Sequence, residues 1–282
     1  MNNTFNINRF GKILKHDGLN FFPNIILAFA ILWAIPVVVY LFTSLMPTDD
    51  TERVFDAFSR INVIDTLLKI ALIIAPARLY KICNDSRKGI GYAMLPASTL
   101  EKFLSMVIYC VIVTPIIYIA GALAIDSILA LFNGPYDGFA ISYYFDSFEQ
   151  FNHSIEKAQV VFNEDDALLL FNSLSPTLLT VIGLLGLLTL SSIFMFGNML
   201  FKKHKTGKTI GILILLAIIF MIISVNYAAT HEYVFERMAE NGTTEFVKRF
   251  LYIATNTMFY TEIIVSALLL WGVYRKIKTQ KY

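Results

Sequence analysis

Charge is scarce in this sequence. Of its 282 residues only 16% are Asp, Glu, Lys or Arg, while 56% are hydrophobic, and the mean hydropathy is +0.62. Soluble domains carry nearer one quarter charged residues, so an ordinary water-facing globule is excluded. Cysteine is almost missing: Cys83 and Cys110 are the pair, which makes no disulfide framework and no metal spacing. The four histidines, His16, His153, His204 and His231, form no His-x-x-x-His or His-Glu-x-x-His pattern. There is no Gly-x-Ser-x-Gly elbow and no aspartate pair within an apolar run. Gly207-Lys208-Thr209 looks like the end of a phosphate loop but lacks the glycine such a loop needs further upstream. Nothing therefore calls for a metal or a cofactor, and an enzyme is not expected. The net charge of +2 gives no reason to expect a nucleic-acid partner.

What is present is long apolar runs. Crossing about 30 Å of hydrocarbon takes roughly 20 helical residues. Six stretches qualify, at about Asn24–Met46, Ile61–Tyr80, Phe103–Ile125, Thr177–Leu200, Thr209–Ala228 and Leu251–Val273. The prediction is an all-α, polytopic membrane protein, with residues 1–282 forming a single membrane domain of six transmembrane helices. The second run is the weakest, because Asp65 and Lys69 lie within it; spaced four apart, they can pair on one helix face. No cleavable signal peptide is expected, since the first apolar run is too long and begins after about 20 polar and basic residues.

Lys and Arg set the orientation. Sixteen of them fall before the first run, between the second and third (counting Arg78 at the end of the second), between the fourth and fifth, and after the sixth; six fall in the alternate loops. Both termini are therefore predicted to be cytoplasmic, and a bacterial inner membrane fits this pattern. The opposite loops are acidic. Residues 126–176 form the longest of these, rich in Phe and Tyr, and are expected to fold as a small helical external cap, with helices near Ser147–Phe162 and Glu164–Leu174. A further short helix is expected at His231–Glu240.

Two segments carry functional signals. In residues 6–20, Phe10, Ile13 and Leu14 recur at helical spacing while Arg9, Lys12, Lys15 and His16 occupy other faces. That pattern predicts an amphipathic interfacial helix resting on membrane lipid, serving either as an anchor or as a docking elbow. Between the second and third runs stands Leu95-Pro96-Ala97-Ser98-Thr99-Leu100-Glu101-Lys102. Ser98 with Glu101 makes a capping box, so a short helix starts there and runs into the third span. Inside the spans, Glu262, Asp65 and Lys69 are candidates by depth, since ionisable side chains are costly there. For Glu262 a hydrogen bond to Thr or Asn of a neighbouring helix is the plainer expectation. Asn198 and Asn226 are expected to join helices in the same way.

The stretch Leu95–Phe103, with six spans and an interfacial N-terminal helix, resembles the permease subunits of the second class of ATP-binding-cassette exporters. The resemblance implies that Leu95, Pro96, Ser98, Leu100, Glu101 and Lys102 form a coupling helix on a separate cytoplasmic ATPase, and that the chain works as a homodimer or heterodimer. One feature departs from that family, which concentrates its external structure between the last two spans; here the large loop follows the third. A membrane scaffold or sensor, whose acidic aromatic loop binds a partner without transport, is the alternative. An intramembrane enzyme would have to use Glu262 or the Asp65–Lys69 pair, with no His or Asp partner at depth.

Overall fold

The computed structural model describes residues 5–45, 57–84, 89–132, 139–142, 176–230 and 243–279. These residues form helices and their connections, with no strand among them. In chain order the helices are α1 (Ile7–Leu45), α2 (Ala57–Leu79), α3 (Gly89–Ala93), α4 (Thr99–Val107), α5 (Thr114–Ala130), α6 (Pro176–Leu200), α7 (Lys205–Thr230) and α8 (Thr243–Thr279). A π-helical segment, Ile108–Val113, fuses α4 to α5. Five helical stretches are long and apolar enough to cross a membrane: Ile7–Leu45, Thr99–Ala130, Thr180–Leu200, Lys205–Ile223 and Ile253–Thr279. The protein is thus a multi-pass helical membrane protein. At 23 residues, α2 is about 35 Å long, enough to span, but Arg60, Asp65, Lys69 and Arg78 keep it out of that set. The expected cap helices near Ser147–Phe162 and Glu164–Leu174, and the one at His231–Glu240, lie outside the described residues.

The N-terminal segment departs from expectation. It is the beginning of a longer helix: α1 continues unbroken through Pro23 and Pro36 as 39 residues. Ile13, Asp17, Phe21, Ile25, Ala28, Leu32 and Pro36 are all buried, a stripe stepping by three or four residues down one face. Along its length α1 packs on α2, α4 and α5; of the apolar residues in its first turns, Ile13 is buried and Phe10 and Leu14 are half-buried. A helix can carry Pro in a membrane when its neighbours hold it in place, and here the stripe does so.

The bundle has two packed centres. In one, Phe21, Phe29 and Leu32 of α1 meet Leu68, Ala71 and Leu72 of α2 and Tyr118 and Ala122 of α5. Phe29 and Tyr118 meet edge-on at 5.8 Å, and the Trp33 indole donates to the Tyr118 carbonyl at 3.1 Å. Gly121 makes this approach possible, because a Cβ there would strike the Trp33 ring. In the other, Tyr80, Cys83, Met106, Cys110, Met195, Met199 and Val273 close together. Both cysteines are buried. The Asn198 amide joins α6 to the end of α2, donating to the carbonyls of Pro76 at 3.0 Å and Tyr80 at 3.1 Å. That is the role expected of it. The Asn226 amide donates to Ile222 of its own helix.

The π segment has a local cause. Pro115 brings no N–H, so the hydrogen-bond ladder of α5 cannot continue regularly back through this turn. The Thr114 N–H reaches the Tyr109 carbonyl five residues back, and the Thr114 hydroxyl donates to the same oxygen at 2.8 Å. From α6, the Ser191 hydroxyl donates to the Cys110 carbonyl at 3.3 Å.

The two ends of the bundle differ in charge. At one end the start of α1, the α2–α4 connection, the α6–α7 turn and the end of α8 converge: Arg9 meets Glu101, Lys205 reaches the Lys81 carbonyl, and Phe103 meets Tyr274. This is the basic end. At the other end buried Arg60 and Asp126 lie 3.7 Å apart, and Asp126 also accepts from the Ala140 N–H at 3.0 Å.

The Gly121–Trp33 contact predicts a coupled pair. Gly121→Ala should destabilise the purified chain by about 1–3 kcal/mol through overpacking. Trp33→Phe in that background should recover part of the loss, a non-additivity of at least about 0.5 kcal/mol. Thermal unfolding in detergent of the four chains of this cycle measures it; strict additivity would remove the contact from the account.

Candidate functional site at the basic end

The connection from α2 to α4 is built from short turns. A 3-10 turn (Lys81–Asn84) follows α2, and α3 comes next. The chain then bends through Leu95–Ala97, where the Ala97 N–H meets the Leu95 carbonyl at 2.7 Å. Ser98 is extended, with φ −68° and ψ 160°, as an N-cap must be before its helix turns. The predicted capping box is present. The Glu101 N–H donates to Ser98 Oγ at 3.3 Å, and the Ser98 N–H donates to Glu101 Oε2 at 2.8 Å.

The second oxygen of the same carboxylate reaches across to the chain's start. Glu101 Oε1 accepts from the Asn6 N–H at 2.8 Å and from the Arg9 guanidinium at 3.2 Å. Asn6 in turn starts α1, its Oδ1 accepting from the N–H groups of Asn8 at 2.9 Å and Arg9 at 3.3 Å. One buried carboxylate therefore sits at two helix N-termini, where unpaired N–H groups and the helix dipole both favour negative charge. Burial opposes ionisation of Glu101, but the two backbone N–H groups, Arg9 and the Ser98 hydroxyl outweigh it and hold its carboxyl below the ordinary value.

Further along α1 lies a second acid that sequence reasoning passed over. Asp17 is buried and accepts from the Ser105 hydroxyl at 2.6 Å and the Tyr80 hydroxyl at 3.2 Å, with His16 Nδ1 at 3.2 Å. It ties α1 to α2 and α4. The Tyr109 hydroxyl adds a bond to the Leu14 carbonyl at 2.8 Å. The signal for Asp17 was in the sequence: it is the one acid in a basic segment, four residues beyond Ile13 on the same helix face. Nothing local pointed to Tyr80 or Ser105. Between these groups opens a cavity of about 340 Å³, lined among others by Asp17, Asn20, Tyr80, Tyr92 and Leu95. Burial pushes the Cys83 thiol at its wall up, so it is a poor nucleophile.

The predicted coupling residues divide into two sets. Ser98, Glu101 and Lys102 are buried, and Lys102 donates to the Tyr92 carbonyl at 3.0 Å, so these three frame the turn from within. Leu95 is half-buried against the cavity. Pro96 is exposed, Leu100 is 40% exposed and Met94, not singled out from sequence, is 76% exposed. These make an apolar knuckle on the surface of the basic end.

The intramembrane candidates lie elsewhere and do not converge. Asp65 and Lys69 pair at 2.7 Å, as their spacing predicts, with both side chains about half exposed. Glu262 of α8 accepts a hydrogen bond from the Thr189 hydroxyl of α6, the plainer expectation for it. Among the described residues no cluster of His, Cys, Asp or Glu could hold a metal ion. No protein-family model, no curated protein and no solved structure matches the chain.

Glu101 predicts an acid-sensitive fold. Its lowered carboxyl contributes stability that is complete above the unfolded value of about 4.3 and is lost as pH falls through the lower folded value. Glu101→Gln should therefore lower the melting temperature at neutral pH and flatten its decline below about pH 5. Melting curves of both chains across pH 3–8 test this; parallel curves would show that the carboxylate is not ionised in the fold.

Proposed function

We propose that the chain is the membrane-spanning permease subunit of an ATP-driven transporter and that it couples to a separate cytoplasmic ATPase. The observation that carries this reading is the knuckle of Met94, Pro96 and Leu100, exposed on a turn whose interior is fixed by Ser98, Glu101 and Lys102. A surface that must receive a push from a partner needs apolar contact area outside and a stiff frame behind it. Glu101 supplies the stiffness, because displacing the start of α4 displaces Asn6 and Arg9, and with them α1.

In this reading α2 is the second of six spans. The basic end faces the cytoplasm, as the Lys/Arg distribution requires, and a bacterial inner membrane is the setting. The exposed Asp65–Lys69 pair near the middle of α2 supports assembly as a homodimer or heterodimer. A charged pair left facing lipid at that depth is costly, and a second subunit or a polar path between subunits relieves the cost. The described spans hold no ring of charge, which favours an apolar or amphiphilic cargo over an ion.

The test is purification from native membranes in mild detergent, with mass spectrometry of whatever accompanies the chain. An ATPase subunit should co-purify. Met94→Asp with Leu100→Asp should lose it while melting like the parent, because neither residue belongs to the buried frame. Absence of any ATPase from a folded preparation would overturn the transport reading in favour of a scaffold, and residues 126–176 would become the bait.

A further inference from the structure

A second cavity at the basic end, of about 720 Å³, lies between the end of α2 and the α6–α7 turn. Its lining is Ile74, Ala77, Arg78 and Lys81 from the α2 side and Lys202, Lys203, His204, Lys205 and Thr206 from the turn. Every ionisable side chain among these is basic. Such a concentration of like charge is self-repelling, and the fold nevertheless holds it around a concavity. Lys205 fixes the two walls together, its ammonium donating to the Lys81 carbonyl at 2.9 Å. His204 takes a left-handed backbone conformation, φ 49°, which non-glycine residues rarely adopt, and this turns the chain sharply between α6 and α7. The first turn of α7, a helix of 26 residues, therefore opens at the cavity with Lys205 and Thr206 in its lining, where the helix dipole favours an anion.

What lies above the cavity restricts the ligand further. Along α2, Ile74 in the lining is followed one turn deeper by exposed Ile70. On the other side, α7 exposes apolar side chains at nearly every position from Ile210 to Val225. A basic concavity at the end of an apolar, uncovered surface has the chemistry of a site for a phosphate group, with room beside it for acyl chains. We infer that this cavity binds a phosphate-bearing anion, with the guanidinium of Arg78 and the ammonium groups of Lys81, Lys202 and Lys203 as its main contacts. The inference needs only a membrane setting and stands apart from the transport reading. Two sources share the chemistry: the headgroup of an anionic phospholipid and a soluble phosphate.

Melting-temperature titrations of the full chain in neutral detergent at 150 mM salt separate them. The probes are phosphatidylglycerol, phosphatidylcholine with the same acyl chains, and inorganic pyrophosphate. Stabilisation by phosphatidylglycerol at concentrations where phosphatidylcholine has no effect identifies a lipid headgroup. Stabilisation by pyrophosphate alone identifies a soluble phosphate. Lys202→Gln with Lys203→Gln, both exposed and so harmless to folding, should weaken the effective ligand by about tenfold or more, at roughly 1 kcal/mol per charge removed. Arg78→Gln should weaken it as well. Lys276→Gln with Lys278→Gln, which removes equal charge from the end of α8, should leave it unchanged. Equal loss in both double variants would mean diffuse attraction to a basic surface and would overturn the site. Absence of stabilisation by either anion would overturn it too.

Discussion

The carboxylate of Glu101 is the point on which the basic end of the molecule is assembled. Two helices begin there, α1 at Asn6 and α4 at Ser98, and each presents N–H groups that its own ladder cannot satisfy. Glu101 closes one of them at each start and receives Arg9 as counter-charge. The cost of burying an ion is met by fixed donors rather than by a single mobile cation. Because the partners lie 95 residues apart in sequence, the bond also decides tertiary structure: it registers α1 against α4. Asp17 repeats the arrangement three turns further along α1, with hydroxyls of Tyr80 and Ser105 as its donors. Two acids on one otherwise apolar interface fix both the spacing and the rotation of α1.

That fixity contrasts with the segment that follows. From Ile108 to Val113 the ladder loosens into π geometry, because Pro115 cannot donate and Thr114 bonds five residues back. One residue spans the two regimes. Tyr109 supplies the carbonyl that the π turn uses and, through its hydroxyl, holds the Leu14 carbonyl of α1. A displacement entering at the exposed knuckle would therefore be shared between α1 and α4 before it reaches the irregular turn. Irregular turns bend more readily than a regular helix, so α5 need not follow rigidly.

What was legible in the sequence is what depends on short spacing. The capping box of Ser98 and Glu101 spans three residues, and the Asp65–Lys69 pair spans four; both are set by helix geometry alone. The apolar runs were legible for the same reason, as was the kind of partner Glu262 would take, since a carboxyl among apolar helices finds a hydroxyl or an amide. The long-range half of each interaction was not legible. Nothing in Leu95–Lys102 says that Glu101 is buried with a second oxygen committed to Asn6. The N-terminal segment carries a related ambiguity. An apolar stripe at helical spacing is identical whether it meets lipid or protein, and the deciding residue was Asp17, which lipid could not have satisfied but Tyr80 and Ser105 can.

The same reasoning sorts the outer faces of the bundle. On α7 the side chains from Ile210 to Val225 are exposed and apolar almost without interruption, the surface that hydrocarbon covers at no cost. On α2 the exposed arc carries Asn62, Thr66 and the Asp65–Lys69 pair. Thr66 satisfies itself by donating to the Asn62 carbonyl at 2.8 Å, and the ion pair neutralises its own charge. Pairing does not remove the cost entirely, because each charge keeps about half of its surface uncovered, and uncovered charge at mid-depth demands water or protein. A chain meeting lipid on every side would gain by replacing both residues with leucine. Their presence sets α2 apart from α7 and fits the proposed reading, in which α2 is a span facing another subunit or a polar path.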